Sequence, residues 1–208
     1  ENLLLPISIK IRELIQYKNK RALCHWHDDI EIIKILSGSM NFYINGEIFR
    51  LIKDDILIVN SKQIHYGYEY NHDDCKFICL MVNPSVLKIN KAMYQEYVIP
   101  IIENNGLLAW CLKNNEGKQL DRILFALIDW QEKSCRAKEW KLLSLVYDLW
   151  YQIYNLIDND KNLNLKQIYE NNILLTLNLK KAFVNDNIVP FFQPIYNVTT
   201  NKIEKYES

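Results

Sequence analysis

The feature that most constrains this chain is His25-Trp26-His27-Asp28-Asp29-Ile30-Glu31, followed seven residues later by Gly38. The run reads H-x-H-x3-E-x6-G, and a third imidazole comes from His65 in Asn60-Ser61-Lys62-Gln63-Ile64-His65. Three imidazoles and one carboxylate are the ligand types that suit a divalent Zn, Ni, Fe or Mn ion. Side chains alternate along a strand, so His25, His27 and Glu31 would share one face, with His65 supplied by a neighbouring strand. The expectation is that all four converge inside a closed β cup as a metal centre. The other reading of the same groups is that they satisfy one another around a pocket without metal.

The residues around this set read as β structure. Ile7, Ile9 and Ile11 alternate as in an edge or leading strand, and Arg12 to Lys20 reads as a loop. Glu31 to Leu36 is a β-branched run that ends in Ser37-Gly38-Ser39. Met40 to Ile44 alternates, Asn45-Gly46 is a hairpin turn, and Glu47 to Leu51 pairs back. Ile56 to Val59 and Lys76 to Val82 add two more strands. Asp54-Asp55 sits in a turn, where Asp favours the backbone geometry. Short strands at near-regular spacing favour a small barrel or jelly-roll sandwich over a parallel sheet.

After Asn83-Pro84-Ser85 the pattern changes. Residues 85–110 read as short helices broken at Pro100 and Gly106. Leu120, Ile123, Leu124, Leu127 and Ile128 then recur at the spacing of one helix face. A second long helix runs from about Lys138 to Ile157 with two apolar stripes. Leu142, Val146, Leu149, Ile153 and Leu156 form one; Trp140, Leu143, Tyr147, Trp150 and Tyr154 form the other. A helix apolar on two faces is buried on two sides. Either a second copy covers part of this surface, through Leu142, Val146, Leu149, Trp150 and Ile153, or both stripes are filled within the chain. Residues 165–183 carry a weaker helical pattern, and Val189 to Tyr196 and Lys202 to Ser208 read as two strands.

Composition sets limits. The 208 residues hold 25 basic and 25 acidic side chains, so no basic excess points to nucleic acid. Five Cys without paired spacing read as reduced thiols of a cytoplasmic protein. No apolar run suggests a membrane span, and the start lacks a signal-peptide pattern. The first residue, Glu1, is not an initiator Met, so the chain reads as a fragment or a trimmed piece.

The His-Trp-His-Asp-Asp-Ile-Glu run, the Asn-Gly hairpin and the Asn-Pro before the helices resemble the cupin-type N-terminal domain of AraC-family transcriptional regulators, over about residues 20–157. The second half of the cupin motif is present as Asp54 to Asn60 and then His65, with Ser61 and Lys62 where Pro and Gly are usual. The resemblance implies a cupin-like double-stranded β-helix, a small effector bound in the barrel, and a homodimer made by a helix pair. Family members go on to two helix-turn-helix units. No such pair is read here, so DNA contact would need a domain outside this sequence. About residues 179–208, with Ile188-Val189-Pro190-Phe191-Phe192-Gln193-Pro194-Ile195 and Lys202 to Ser208, resemble the truncated start of an EAL domain, a cyclic di-GMP phosphodiesterase. That resemblance implies that Gln193 lies beside substrate and Glu207 ligates metal. Ser208 stands where Ala is usual, and the remaining ligands of such a site are absent.

The expected architecture is mainly β plus α. Residues 1–84 form a barrel sensor and 85–157 a helical dimerisation region. Residues 158–187 form a linker helix, and 188–208 an incomplete EAL-like start. The expected function is effector sensing, with Glu31, Ile33, Phe42, His65 and Tyr66 touching the ligand, no catalytic residue, and no membrane contact. A metal-dependent cupin enzyme is the alternative.

Overall fold

In the computed structural model, the described residues are 5–104, 106–159, 165, 170, 173, 174, 177, 193–197 and 202–207. The chain divides into two compact units, Glu1–Leu165 and Lys166–Ser208.

One long strand, β2 (Ile30–Ile44), organises the first unit; β1 (Ile7–Glu13) precedes it. After it come β3 (Glu47–Ile52), β4 (Ile56–Val59), β5 (His65–Glu69) and β6 (Cys75–Val82). The first half of β2 pairs antiparallel with β4 and β6, placing Glu31 opposite Val59 and Met81. Its second half pairs with β3 and β5, placing Phe42 opposite Phe49 and Gly67. One strand therefore serves two sheets. The bend between them falls at a register shift after Ile35 and at Gly38, whose φ is +74°. A Cβ on Gly38 would lie 1.9 Å from the Asp74 carbonyl oxygen, so only glycine fits. Asn45 and Gly46 both take positive φ (44° and 102°), which closes the β2–β3 hairpin as the Asn-Gly pair predicts.

Ile33, Ile35, Met40, Phe42, Ile44 and Leu57 pack between the two sheets. Ile30 and Ile32 point the other way and meet Val82, Val146, Leu149 and Ile153. That is why the start of β2 is almost continuously apolar: it is buried on both faces. Glu31 and Lys34 are the exceptions, and Lys34 lies on the helix side. It is 2% exposed, and its Nζ reaches both carboxylate oxygens of Asp121 at 2.9 and 3.0 Å.

The two long helices fall where the periodicity predicts, α3 at Lys118–Glu132 and α4 at Lys138–Asp158, after the short α1 (Lys91–Tyr97) and α2 (Ile99–Ile102). Two local expectations need correction. Ala109–Leu112 is a strand, β7, taken up by the open edge of β4; four residues are too few to show a period. The expected dimer face is also occupied within the chain. Leu142, Val146, Leu149 and Ile153 are at most 2% exposed. Trp150 donates from Nε1 to the Tyr97 carbonyl at 3.3 Å. On the same stripe as Trp150, Tyr154 meets the Tyr97 ring edge-on and the Tyr147 hydroxyl reaches the Val86 carbonyl. The stripe of Leu142, Val146, Leu149 and Ile153 is thus covered by the chain's own sheet, and Trp150 and Tyr154 meet α1.

In the second unit, the backbone of β8 (Gln193–Asn197) and β9 (Lys202–Glu207) forms an antiparallel hairpin. The linker-helix expectation over 158–187 lies largely outside the described residues; Leu165, Glu170, Ile173, Leu174 and Leu177 are helical. No helix among the described residues is long and apolar enough to cross a membrane.

Candidate metal centre and ligand cavity

The four expected ligands come together. One ligand atom from each of His25, His27, Glu31 and His65 lies within 4.8 Å of all the others. Opposite ligands on an ion with bonds of ~2.1 Å sit ~4.2 Å apart, so the set needs only sub-ångström closure. The route there differs from the sequence expectation. His25 and His27 are not on a regular strand; the chain between Ala22 and Asp29 is irregular, with one bridge at His25. That bridge is to His65, through His25 N to His65 O (3.2 Å) and His65 N to His25 O (2.9 Å). Glu31 is on β2 and His65 opens β5, opposite Ile44.

Two loops carry the imidazoles, and a hydrogen-bond network locks them together. Ser61 Oγ donates to the Asp28 carbonyl at 2.8 Å, and Lys62 N donates to the His27 carbonyl at 2.8 Å. The hairpin Asn45 accepts from Ile64 N on its side chain at 2.9 Å and donates its own N–H to Ile64 O at 3.0 Å. Its side-chain amide also donates to Gln63. The turn that ends β2 thereby sets the position of His65. Lys62 holds φ at 65°, the left-handed region, at a place where the cupin motif usually has glycine.

Ring chemistry fixes what the site can hold. Nδ1 of His25 is 2.8 Å from Leu23 O, Nδ1 of His27 is 3.1 Å from Asp29 O, and Nδ1 of His65 is 2.8 Å from Gln63 O. A carbonyl only accepts, so each Nδ1 carries the hydrogen, and in the neutral ring Nε2 is left with a lone pair. Nε2 of His65 lies 2.7 Å from Glu31 Oε2, and Nε2 of His27 lies 3.7 Å from it. All three atoms are buried without a hydrogen-bond donor of their own. Lone pairs facing a carboxylate demand a cation between them, either a proton or a metal ion. Backbone carbonyls on the far nitrogen are also what orients metal-bound histidine. The donor set therefore fits a divalent ion.

Without an ion, the charges settle on protons. The Glu31 carboxylate beside it raises the His27 pKa against the opposing effect of burial. Burial pushes Glu31 up, but the His27 and His65 contacts outweigh it and hold the carboxyl well below its ordinary range. Cys79 donates Sγ–H to Glu31 Oε1 at 3.1 Å; burial and that carboxylate hold the thiol protonated.

A cavity of about 350 Å³ opens beside this cluster, at the small end of ligand pockets. All five residues expected to touch a ligand, Glu31, Ile33, Phe42, His65 and Tyr66, line it. Tyr66 stands at the rim, stacked on Tyr43 with the Arg21 guanidinium 4.4 Å above its ring. A larger groove of about 640 Å³ lies outside the barrel, between Asp28, Asn83 and Tyr94. It contacts none of the four clustered ligands, so size alone does not mark the site.

Residues 16–138, more than half of the chain, match the family model described as the AraC-like ligand binding domain. The chain belongs to that family. An uncharacterized HTH-type transcriptional regulator, YdeC of Bacillus subtilis (strain 168), is 32% identical over 112 residues. The match covers 54% of this chain and 38% of that relative, so the chain spans well under half of the relative's length. Partial likeness extends to solved structures. A cupin protein, BF4112 of Bacteroides fragilis, has 23% identity, a TM-score of 0.33, and coverage of 38% of this chain and 66% of its own. The conserved SPY1581 protein of unknown function from Streptococcus pyogenes has 19% identity, a TM-score of 0.34, and the same coverage.

For an AraC-like ligand-binding domain, the cavity residues that sequence reasoning missed are as informative as those it found. Arg12 and Tyr17 fall in a stretch read as loop, yet both line the cavity, as do Cys79 and Met81. Strand parity could have found the last two, since Cys79 and Met81 alternate along β6. His72, read as solvated, is exposed, with its Nδ1 3.4 Å from Glu69 Oε1.

Proposed function

We propose that this AraC-like domain is the effector-sensing part of a bacterial transcriptional regulator, with the effector held in the barrel cavity against a divalent ion. The observation that carries this reading is the juxtaposition in one place of an apolar cavity and a four-residue donor set. His25, His27, Glu31 and His65 would hold the ion, which would supply a Lewis-acidic anchor for an oxygen or nitrogen of the effector. The output is DNA binding by a helix-turn-helix unit of the kind named in the Bacillus subtilis relative. Association of two copies belongs to the same reading. Because Leu142, Val146, Leu149 and Ile153 of α4 are covered within the chain, it would use the residues left exposed on α3 and α4, Phe125, Trp140 and Tyr151. A ligand alters output only by binding one arrangement better than another.

A second output is supported by the tail. Gln193 and Glu207, the pair that the EAL resemblance singles out, stand opposite each other in the β8–β9 register. That reading makes the domain a regulator of cyclic di-GMP turnover.

Thermal shift with metal-loaded protein against a small-molecule library tests sensing. Ligand-dependent stabilisation with the ligand recovered intact is expected. Consumption of the ligand, abolished by chelator, would replace the sensor reading with that of a metal-dependent cupin enzyme.

A further inference from the structure

We infer that the cavity selects an organic anion, a small carboxylate with an apolar body, through Arg12 on the edge strand β1; this rests on the reading of the cavity as the effector site. In the β1–β6 ladder, Arg12 stands opposite Phe77, Lys10 opposite Cys79 and Ser8 opposite Met81. Cross-strand partners project to the same side of a sheet. Phe77, Cys79 and Met81 all line the cavity, so Lys10 and Arg12 are carried on its face, while Ile9 is buried on the other side of the strand. Arg12 itself lines the cavity and is half-buried. Its charge is felt at Tyr17 and at Cys79.

Neither cation has a side-chain ion pair or hydrogen bond among the described residues. The acids nearby are otherwise engaged: Glu13 with Lys76 at 3.1 Å, and Glu31 with the histidines. A guanidinium held in a cavity wall without a partner is costly unless something anionic completes it, and its planar fork matches a carboxylate bidentately. Between Arg12 and the donor set the wall is apolar, formed by Ile33, Met40, Phe42 and Phe77. The occupant that completes Arg12 and fills the apolar middle is an acid with an aliphatic or aromatic body of roughly ten heavy atoms, given the volume. Once an ion neutralises Glu31, the cavity has no other carboxylate in its lining to repel such a ligand.

The test uses the whole chain loaded with Zn, titrated calorimetrically with benzoate, phenylacetate and hexanoate and with their neutral amides. The acids are expected to bind about tenfold or more tightly than the amides, since an ionic bidentate contact is lost in the latter. Arg12→Gln should bring the acids down to the level of the amides bound to the same variant, and Arg12→Lys should recover part of the difference. Equal binding of acids and amides, or acid binding unaffected by Arg12→Gln, overturns the selection by Arg12 but leaves the cavity as a ligand site. No binding by either class, or binding insensitive to blocking the cavity with Gly67→Leu, overturns both.

Discussion

The Nε2 of His65 lies 2.7 Å from Glu31 Oε2 while the other nitrogen of the same ring is engaged by the Gln63 carbonyl. That pairing cannot hold with a neutral imidazole and an ionised carboxylate alone. A proton or a metal must sit between them, and the two possibilities depend on pH in opposite ways.

In metal-free protein, protons stabilise the cluster. His27 is raised above its ordinary 6.5, so its contribution is complete below that value and is lost as pH rises through its folded pKa. Glu31 is depressed below its ordinary 4.5, so its contribution is complete above that value and is lost as pH falls through its folded pKa. The difference in melting temperature between wild type and Glu31→Gln, measured in chelator, should peak between pH 4.5 and 6.5. In metal-loaded protein it should rise with pH instead, because the ion requires neutral imidazoles. Curves of the same shape with and without metal would contradict this.

Gly38 tests the two-sheet architecture. Gly38→Ala places a methyl against the Asp74 backbone and forces a side chain into left-handed φ. A loss of roughly 3 kcal/mol or more is expected, since backbone clash and strain add. Urea denaturation reads it; a change under about 1 kcal/mol would mean that the bend relaxes freely.

Asp55 explains how the barrel is closed behind β4. It is fully buried and accepts from Lys113 Nζ at 2.8 Å and Ile52 N at 3.0 Å. Lys113 is part exposed and can return to water, so the ion pair itself contributes little. The cost of Asp55→Ala comes mainly from the orphaned turn donors, about 2–3 kcal/mol. Lys113→Ala should cost less than Asp55→Ala in the same denaturation assay. The reverse order would contradict this division.

How much of this was legible in the sequence follows from where the information is local. The Asn45-Gly46 hairpin, the helix faces and the convergence of the four ligands follow from turn chemistry, periodicity and residue type. The membership of Arg12 in the cavity wall does not, because it depends on β1 pairing with a strand about seventy residues away. β7 likewise exists only because β4 offers it an edge. The apolar stripes of α4 announced burial on two sides but not by what. The sheet and α1 cover the first and part of the second, leaving Trp140 exposed, and no period in the sequence distinguishes that from a partner chain. The His25 and His27 parity argument reached the right place by the wrong backbone, since carbonyl contacts at Leu23 and Asp29, rather than strand pleating, aim the rings.

Elemental analysis of the purified chain, expressed in metal-supplemented medium, tests the central claim most directly. About one divalent ion per chain is expected in wild type, and none in His65→Ala or in the His25→Ala, His27→Ala double variant. A wild-type protein without stoichiometric metal, or variants that retain it, would contradict the account.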